Sequence, residues 1–558
     1  MKATSERRGR VLGRVPPRRG LCLLGAVPLA LAFGHAAEAG SCENLAGISV
    51  ADTTITAAVS VPAGTYVAPD GSSYPDMPAF CRVAATISTQ PTEAVRIEVW
   101  LPTATWNGRF EGLGSGGFGG SITYSALAPA VQAGFAAANT DTGHEGGAEG
   151  AIGQTLPWAQ NPVSLRDWGH SSIHLMSDSA KAILRAFYKR RAAYAYYDGC
   201  STGGAEAMEE AEYYPDDYDG IHAGSPGMDY SHLMMSFLWG ALPSAKNPAA
   251  ALPASALALF HTAVLKACQA ADGSVAGDTF LNDPRKCGFD PAVLQCKQGQ
   301  DPSTCLTAAQ TEAARTLYSP VTDPQSGLVL YPGFARGSED NWSLIQGALV
   351  PFFAQPLLAN TVFDNPNWDW TSFNFASDAL LVDRKLSPSI NATHPDLSRF
   401  RAHGGKLIMT QGWDDPLNAQ TLPIEYYNSV LAFDPEPERV QRFYRLFMAP
   451  GMGHCGGGPG PNTFNTVAAL QAWVEYDQAP DRIIATKYVN DLPADGVALT
   501  RPLCPYPQRA AYKGTGSTAV AANFTCVEDR PQFVKDLRQE IHNLVQTFRS
   551  GDLENLPN

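Results

Sequence analysis

The residues Gly199-Cys200-Ser201-Thr202-Gly203 have the types and the spacing of a nucleophilic serine in a tight turn. A β-rich run, Tyr194 to Tyr197, precedes them, and a helix-forming stretch, Ala205 to Tyr213, follows. A sharp strand-to-helix turn needs glycine on both sides, so that the serine hydroxyl stands clear of the backbone. The positive end of the helix would also face any oxyanion that forms at Ser201. We therefore predict a nucleophile at Ser201. The alternative is a glycine-rich turn whose serine has no chemical role.

A serine nucleophile needs a histidine base and a carboxylate that orients the base. A predicted strand at 406–410 leads into Asp414-Asp415, and a predicted strand at 443–448 leads into His454. Serine, acid and histidine in this chain order, each on a loop after a strand, are typical of α/β-hydrolases. The carboxyl ends of parallel strands open on one edge of a sheet, so the three side chains can meet there. We predict that His454 takes the proton of Ser201 and that Asp415 holds the imidazole.

A glycine-rich loop and three other histidines also bear on the predicted serine–histidine–aspartate site. A predicted strand at 109–113 runs into the glycine-rich loop 114–120, a position that supplies half of the oxyanion hole in α/β-hydrolases. No Gly-Lys-Ser/Thr follows this loop, which argues against a nucleotide-binding P-loop. His144, His170 and His174 are competing histidines, but none lies at a strand end after the serine, and we interpret them as structural.

The predicted elements alternate between strand and helix from residue 95 to 224 and again from 406 to 489, which indicates a mostly parallel sheet with helices on both faces. Residues 229–395 differ, with short cysteine loops, many turn residues and a run of aromatic side chains. We therefore predict one α/β-hydrolase domain, residues 40–228 and 396–558, interrupted by a lid domain at 229–395. Three tandem domains explain the pattern less well.

Composition narrows the class of protein. The chain is 44% hydrophobic, enough for a sizeable core, and its formal charge of −14 argues against nucleic acid or an anionic membrane as a partner. Residues 1–39 have a basic start, an apolar run at 21–33 and Ala37-Glu38-Ala39, the layout of a cleavable secretory signal. No later apolar run reaches 18 residues, so we predict a secreted or periplasmic protein without a membrane span.

The cysteines agree with export, because ten remain after residues 1–39 and an even count in an exported chain suggests disulfides. Proximity along the chain predicts the pairs Cys268–Cys287, Cys296–Cys305, Cys504–Cys526 and Cys42–Cys81, which leaves Cys200 and Cys455 as the fifth pair. Those two cysteines adjoin Ser201 and His454. A bond between them would hold the nucleophile and the base together.

The chain resembles the tannase and feruloyl esterase family, which also includes a bacterial mono(2-hydroxyethyl) terephthalate hydrolase. The resemblance lies in the motifs 199–204 (GCSTGG), 214–221 (YPDDYDGI) and 450–458 (PGMGHCGGG), and it spans essentially the whole mature chain, including all five inferred disulfides. It implies an α/β-hydrolase core with a large lid and a triad of Ser201, Asp415 and His454. Asp415 is preferred to Asp414 because the family acid lies three residues after a glycine, here Gly412. The implied oxyanion donors are the N–H of Thr202 and that of Gly116 or Gly117.

The resemblance also implies a structural calcium site in the lid, although no cofactor is required for the chemistry. The family loop reads Cys-Asp-x-x-Asp-Gly-x-x-Asp-Gly, and this chain has Gln269 and Ala276 at two of the three acidic positions. Calcium prefers several anionic oxygens, so the affinity should fall unless Gln269 and Asp278 substitute for the lost carboxylates. The expected ligands are Asp272, Asp278, Gln269 and Ser274.

We therefore expect a secreted serine esterase that acts on small esters of aromatic acids of the feruloyl, galloyl or terephthalate-monoester type. Aromatic residues between 342 and 375 could stack on a planar acyl group, although most should fill the interior of the lid. Arg336 or Arg384 could bind a free carboxylate of the substrate. The alternatives are a general carboxylesterase for aliphatic or small aryl esters and a non-catalytic binding protein with this fold.

Overall fold

The central feature of the fold is a nine-stranded sheet with helices on both faces. The computed structural model describes residues 41–90, 92–146 and 155–550, with side chains to residue 543. The described residues belong to one unit of contacting residues, Ala39–Asn558. The predicted secretory signal, residues 1–39, lies outside the described residues.

The strands within the described residues are, in chain order, β1 (Thr53–Val61), β2 (Gly64–Val67), β3 (Ser73–Met77), β4 (Phe80–Gln90), β5 (Glu93–Pro102), β6 (Arg109–Leu113), β7 (Ala136–Thr140), β8 (Tyr194–Cys200), β9 (Gly220–Gly224), β10 (Val321–Thr322), β11 (Val329–Tyr331), β12 (Lys406–Gly412), β13 (Tyr444–Ala449), β14 (Ile483–Tyr488), β15 (Val497–Leu503), β16 (Gln508–Tyr512) and β17 (Phe524–Glu528).

The α-helices of the same residues are α1 (Tyr124–Gln132), α2 (Pro162–Arg166), α3 (Ser172–Tyr188), α4 (Thr202–Tyr213), α5 (Tyr230–Lys246), α6 (Ala254–Asp272), α7 (Ala308–Tyr318), α8 (Ser343–Gly347), α9 (Gln355–Thr361), α10 (Ser377–Lys385), α11 (Ser387–Ile390), α12 (Ser398–His403), α13 (Leu422–Phe433), α14 (Pro437–Val440), α15 (Thr466–Tyr476) and α16 (Arg530–Ser550).

The strand order in the central sheet is β1-β4-β5-β7-β6-β8-β9-β12-β13. The six strands from β7 to β13 in this order are parallel, whereas β1, β4 and β5 form an antiparallel edge. The strands β8, β9, β12 and β13 are successive neighbours, so the loops after them share one edge. The protein thus has the predicted α/β-hydrolase fold. The predicted strand at 483–489 lies outside this sheet, because β14 pairs with β15 alone.

The two faces of the sheet carry separate apolar cores, because side chains alternate along a strand. On β12, Leu407 and Met409 belong to the core shared with α3 and α4, whereas Ile408 belongs to the core shared with α1 and α15. All three side chains are fully buried. The near-continuous hydrophobic sequence of β12 follows from this burial on both faces.

Residues 229–395 form mainly helices, α5 to α11, with the small β10–β11 sheet. Most of their buried apolar side chains belong to the same core as one face of the central sheet. The boundaries of the lid stay a prediction. In the described part of the chain no single helix could span a membrane, and one bent pair, Glu339–Gly347 with Val350–Thr361, meets the length and composition criteria together. Ile345, Leu357 and Leu358 of that pair are fully buried in the core.

Candidate active site

Ser201 occupies the turn between β8 and α4, where the sequence predicts a nucleophile elbow. Its backbone angles, φ 65° and ψ −119°, are unusual for a residue with a side chain, and such strain is typical of active sites. A Cβ atom on Gly199 would lie 2.3 Å from the carbonyl oxygen of Gly203, and one on Gly203 would lie 2.9 Å from that of Ser115. Both flanking positions therefore require glycine.

His454 and Asp415, the base and the acid expected from the sequence, lie in contact. Nδ1 of His454 donates to Oδ2 of Asp415 over 2.9 Å. The carboxylate is fully buried and also accepts hydrogen bonds from the backbone N–H groups of Leu417 and Asn418 and from Nε2 of Gln411. Nε2 of His454 is buried and has no hydrogen-bond partner among the described residues. This nitrogen is therefore free to accept a proton.

The adjacent carboxyl groups of Asp414 and Asp415 differ in charge. Burial raises the pKa of Asp415, but its interaction with His454 and the hydrogen bonds from the N–H groups of Leu417 and Asn418 outweigh burial and hold the pKa below its ordinary value. For Asp414, burial and then the neighbouring carboxylates of Asp340 and Glu339 raise the pKa to about 9. At neutral pH Asp415 is ionised and Asp414 is not. The geometry and the charge thus favour Asp415 as the partner of the imidazole.

The structure contains the five predicted disulfides: Cys42–Cys81, Cys200–Cys455, Cys268–Cys287, Cys296–Cys305 and Cys504–Cys526. The Cys200–Cys455 bond joins Cα atoms 5.9 Å apart that are separated by 255 positions in the chain. It connects the end of β8 to the loop after β13. The residue after Cys200 is Ser201 and the residue before Cys455 is His454, so the bond restrains both.

The glycine-rich loop after β6 lies against Ser201 and the start of α4. Gly116 and Gly117 line the same cavity as Ser201. The carbonyl oxygen of Gly117 accepts hydrogen bonds from the hydroxyl groups of Thr202, at 2.6 Å, and Tyr230, at 3.3 Å. Thr202 is the first residue of α4, where a backbone N–H has no partner within the helix. The expected oxyanion donors are thus brought to one place.

A buried carboxylate that the sequence reasoning missed fixes this loop. Glu206, on α4, accepts hydrogen bonds from the backbone N–H of Ser115 at 2.9 Å and from the Ser115 hydroxyl. The hydroxyl of Tyr197 donates to the same carboxylate at 2.8 Å. Glu206 lies five positions after Ser201. An acidic residue on the buried face of the predicted helix was the available signal, because buried carboxylates require partners.

The cavity at Ser201 has a volume of about 620 Å³. Its apolar wall includes Leu344, Ala348, Leu349, Phe352, Phe353 and Leu417. His454 and Asp198 also line it. Among the described residues that line the cavity there is no lysine or arginine. The cavity thus suits an apolar or aromatic group beside the serine.

Most of the aromatic residues between 342 and 375 fill the interior, as expected. Trp342, Trp368, Phe373 and Phe375 are buried in the core, and of the aromatic run only Phe352 and Phe353 line the cavity.

The two arginines considered as carboxylate ligands lie elsewhere. The guanidinium of Arg336 lies 4.3 Å from the ring centroid of Tyr318, and Nε of Arg384 donates to the carbonyl oxygen of Leu380. The competing histidines also lie outside the cavity lining: His144 stacks on Trp158, His170 pairs with Glu209 and His174 pairs with Asp217.

The expected calcium ligands already have other partners. Oδ1 of Asp272 accepts a hydrogen bond from the backbone N–H of Ser274 at 2.8 Å. Oδ2 of Asp272 accepts hydrogen bonds from the Ser274 hydroxyl at 2.9 Å and from the backbone N–H of Asn282 at 2.6 Å. These donors occupy the directions from which a carboxylate would bind a cation.

The second acidic residue of the loop is paired with a cation of the protein. Oδ1 of Asp278 lies 2.5 Å from the guanidinium of Arg501, and both side chains are almost fully buried. Nε2 of Gln269 donates to the carbonyl oxygen of Asp278, so this side chain directs a donor toward the loop. Calcium requires six to eight oxygen ligands. The residues present therefore do not fit a calcium ion.

Within the described part of the chain, one other group of side chains has metal-ligand types: His174, Asp178 and Asp217, whose ligand atoms lie within 4.8 Å of one another. The ammonium group of Lys181 lies 3.3 Å from Oδ1 of Asp217 and supplies a positive charge there.

A serine at the elbow after a parallel strand, with a buried acid–histidine pair on neighbouring strand ends, defines the class of α/β-hydrolases. Comparison with known sequences gives the family. The family model described as "Tannase and feruloyl esterase" matches residues 81–527. The chain belongs to this family and is a carboxylic ester hydrolase.

Individual relatives match over most of their length. An uncharacterized esterase of Xanthomonas campestris pv. campestris is 37% identical over 538 residues, which cover 88% of this chain and 92% of that protein. A probable feruloyl esterase B-1 of Aspergillus flavus is 32% identical and is matched over 91% of this chain and 99% of its own. The crystal structure of feruloyl esterase B from Aspergillus oryzae superposes with a TM-score of 0.80 at 28% identity, covering 87% of this chain and 99% of that one.

Proposed function

We propose that the protein is a secreted serine esterase that hydrolyses carboxylic esters of aromatic acids through Ser201, His454 and Asp415. The observation that carries this proposal is that Ser201 and His454 line one cavity while His454 is held by the buried carboxylate of Asp415. The Cys200–Cys455 bond supports the assignment, because it ties the loops that carry the nucleophile and the base.

The reaction begins when Oγ of Ser201 attacks the ester carbonyl carbon and Nε2 of His454 takes the hydroxyl proton. The oxyanion accepts hydrogen bonds from the N–H of Thr202 and from that of Gly116 or Gly117. The protonated imidazole, stabilised by Asp415, gives its proton to the leaving alcohol as the ester C–O bond breaks. Water then attacks the acyl-enzyme, with His454 as the base, and the acid is released. No cofactor takes part in these steps.

The aromatic substrate class is supported by the cavity and by the relatives. Phe352 and Phe353 lie in a wall that is otherwise aliphatic, and aromatic rings of this kind stack on a planar acyl group. Two of the relatives are named as feruloyl esterases. Feruloyl and galloyl esters and monoesters of terephthalate all present such a group. The alternative is a general carboxylesterase, since the aliphatic wall also accommodates a short acyl chain.

Export is the remaining part of the proposal. Residues 1–39 have the layout of a secretory signal, and five disulfides form and persist in an oxidising compartment. Expression of the full chain followed by mass spectrometry of the secreted or periplasmic product tests this. The expected N-terminus is Gly40, and a product that retains residues 1–39 would contradict it.

The decisive experiment is a substrate panel with methyl gallate, methyl ferulate, mono(2-hydroxyethyl) terephthalate and p-nitrophenyl butyrate. We expect higher kcat/KM for at least one aromatic-acid ester than for the butyrate. Activity confined to the butyrate would favour the general carboxylesterase.

Ser201→Ala should abolish all turnover, and the exposed Ser303→Ala is the matched control. A fluorophosphonate probe should label the peptide that contains Ser201 in the unmodified protein and not in Ser201→Ala. Unchanged turnover by Ser201→Ala would exclude the mechanism.

A further inference from the structure

Asp198 is the acidic side chain in the wall of the cavity that holds Ser201. It lies on β8, three positions before Ser201, and 38% of its side chain is exposed. A carboxylate in a mostly apolar wall is unfavourable unless hydrogen-bond donors reach it. The exposed part of this carboxylate can accept hydrogen bonds from water or from the occupant of the cavity.

A chain of hydrogen bonds across three parallel strands fixes this carboxylate. Oδ1 of Asp198 accepts a hydrogen bond from Nδ1 of His222 at 2.6 Å, and the two residues are directly paired between β8 and β9. Nε2 of His222 lies 3.0 Å from the hydroxyl of Thr410 on β12, which donates to it. His222 and Thr410 are buried. The orientation of Asp198 is thus set before any substrate binds.

The second carboxylate oxygen, Oδ2, accepts no hydrogen bond from the described residues, and Asp198 lines the cavity with 38% of its side chain exposed. None of the described lining residues is a lysine or an arginine. The nearby Glu111 is a neutral acid at pH 7, since burial and then the charge of Asp198 raise its pKa to about 8. A hydroxyl group of a neutral ester can donate to this oriented carboxylate, whereas a second carboxylate is repelled.

We propose that Asp198 determines the substrate specificity of the esterase by accepting a hydrogen bond from a hydroxyl group of the ester. The same carboxylate disfavours esters that carry a free carboxylate, so terephthalate monoesters are the least favoured of the three acyl types considered above. The substrate class is therefore a neutral hydroxylated ester, either a phenolic acid ester or an ester of a polyhydroxylated alcohol. The inference rests on the proposed function, because it concerns the cavity of that reaction.

Matched ester pairs test the inference. Methyl p-coumarate and methyl cinnamate differ by one phenolic hydroxyl, and 2-hydroxyethyl cinnamate and ethyl cinnamate differ by one hydroxyl on the alcohol. Monomethyl and dimethyl terephthalate differ in the free carboxylate. The ratio of kcat/KM within each pair is the readout, because it does not depend on the fraction of folded enzyme.

The unmodified enzyme should prefer the hydroxylated member of at least one pair by about tenfold or more, as expected for a hydrogen bond to a charged group. Asp198→Leu should reduce that preference to near unity. Asp198→Asn should raise the relative kcat/KM for monomethyl terephthalate, because it removes the charge and keeps the shape. Asp216→Asn is the matched control, since Asp216 also pairs with a histidine, His403, but is 80% exposed and outside the cavity lining.

Two outcomes overturn the inference in different ways. If Asp198→Leu keeps the ratios of the unmodified enzyme in all three pairs, Asp198 does not set specificity although the esterase mechanism stands. If the unmodified enzyme hydrolyses none of these esters and no p-nitrophenyl butyrate, the proposed function itself fails, and the role of Asp198 fails with it.

Discussion

Asp415 and His454 lie on loops after adjacent parallel strands, and Oδ2 of the aspartate accepts a 2.9 Å hydrogen bond from Nδ1 of the histidine. The neighbouring Asp414 is also buried but forms no such bond to the imidazole. Of these two adjacent acids, Asp415 is hydrogen bonded to His454 and has a lowered pKa, whereas Asp414 has a raised pKa. The difference leads to a direct test of the proposed triad.

Asp415→Asn should lower kcat by about 10³–10⁴-fold, because the amide cannot stabilise the imidazolium ion. Asp414→Asn is the matched control, since the Asp414 carboxyl is already neutral at pH 7 and its amide analogue preserves the local charge. We expect Asp414→Asn to retain most of the activity in steady-state assays with the preferred ester. Equal losses in the two variants would contradict the assignment of Asp415.

The raised pKa of Asp414 also predicts a pH-dependent effect on stability. In the unfolded chain this group ionises near pH 4, whereas in the folded protein its pKa is about 9. Between these values the folded state binds more protons, so the free energy of unfolding falls as the pH rises. Asp414→Asn removes this loss and should be more stable than the unmodified protein by about 1–3 kcal/mol at pH 8. The two proteins should converge near pH 4 in denaturant titrations, and a constant difference across this range would contradict the prediction.

The Cys200–Cys455 bond should contribute to stability and to positioning. In the chain-entropy model its loop of 255 positions corresponds to about 5 kcal/mol, against about 3 kcal/mol for the Cys296–Cys305 loop of 9. Double alanine variants of each pair should therefore both lose stability in chemical denaturation. Only the Cys200/Cys455 variant should lose kcat under conditions where it is fully folded. Full activity in that variant would show that the bond is not needed to position Ser201 and His454.

Glu206 should hold the glycine-rich loop 114–120 in place through its hydrogen bonds with Ser115. A glutamine at this position keeps one acceptor and places an N–H₂ group against the donors of Ser115 and Tyr197. Glu206→Gln should lower kcat by about 10–100-fold with little change in KM, because oxyanion donors act mainly on the transition state.

Glu209→Gln on the same helix is the control for a buried glutamate, since Glu209 pairs with His170 outside the cavity lining. It should alter the melting temperature and leave kcat near that of the unmodified enzyme. A loss of kcat as large as that of Glu206→Gln would point to a general effect of α4 packing.

Because Asp278 is already paired with Arg501, we predict that the stability of the folded protein does not depend on calcium. The melting temperature of the unmodified protein should not change with chelator or with added calcium chloride, and metal analysis should find no bound calcium. The triple variant Gln269→Asp, Ala276→Asp, Arg501→Gln restores the acidic loop and removes the guanidinium, so its melting temperature should rise with calcium. Stoichiometric, chelator-resistant calcium in the unmodified protein would contradict the prediction.

The parts predicted best from the sequence depend on local spacing. The elbow at Ser201 needs only glycine at two fixed positions, and the strands at β5, β6, β8 and β12 follow from short hydrophobic runs. The predicted alternation of strands and helices begins only at residue 95, but β1 and β4 pair before it as long antiparallel strands. β1 is the edge strand and pairs only with β4 in this sheet, so its side chains are partly exposed and its hydrophobic pattern is weak.

The sequence by itself determined the family, the order of serine, acid and histidine along the chain, and the cysteine pairs, because these depend on residue types at set positions. Only the tertiary structure decided that Asp198 lines the cavity and that Glu206 binds Ser115 in the glycine-rich loop. It also decided that Arg501 pairs with Asp278, in the loop expected to bind calcium. Each of these contacts joins segments that are distant in the chain or on different strands. The packing of the sheet, its helices and β15, which carries Arg501, decides these contacts, and no local pattern in the sequence specifies them.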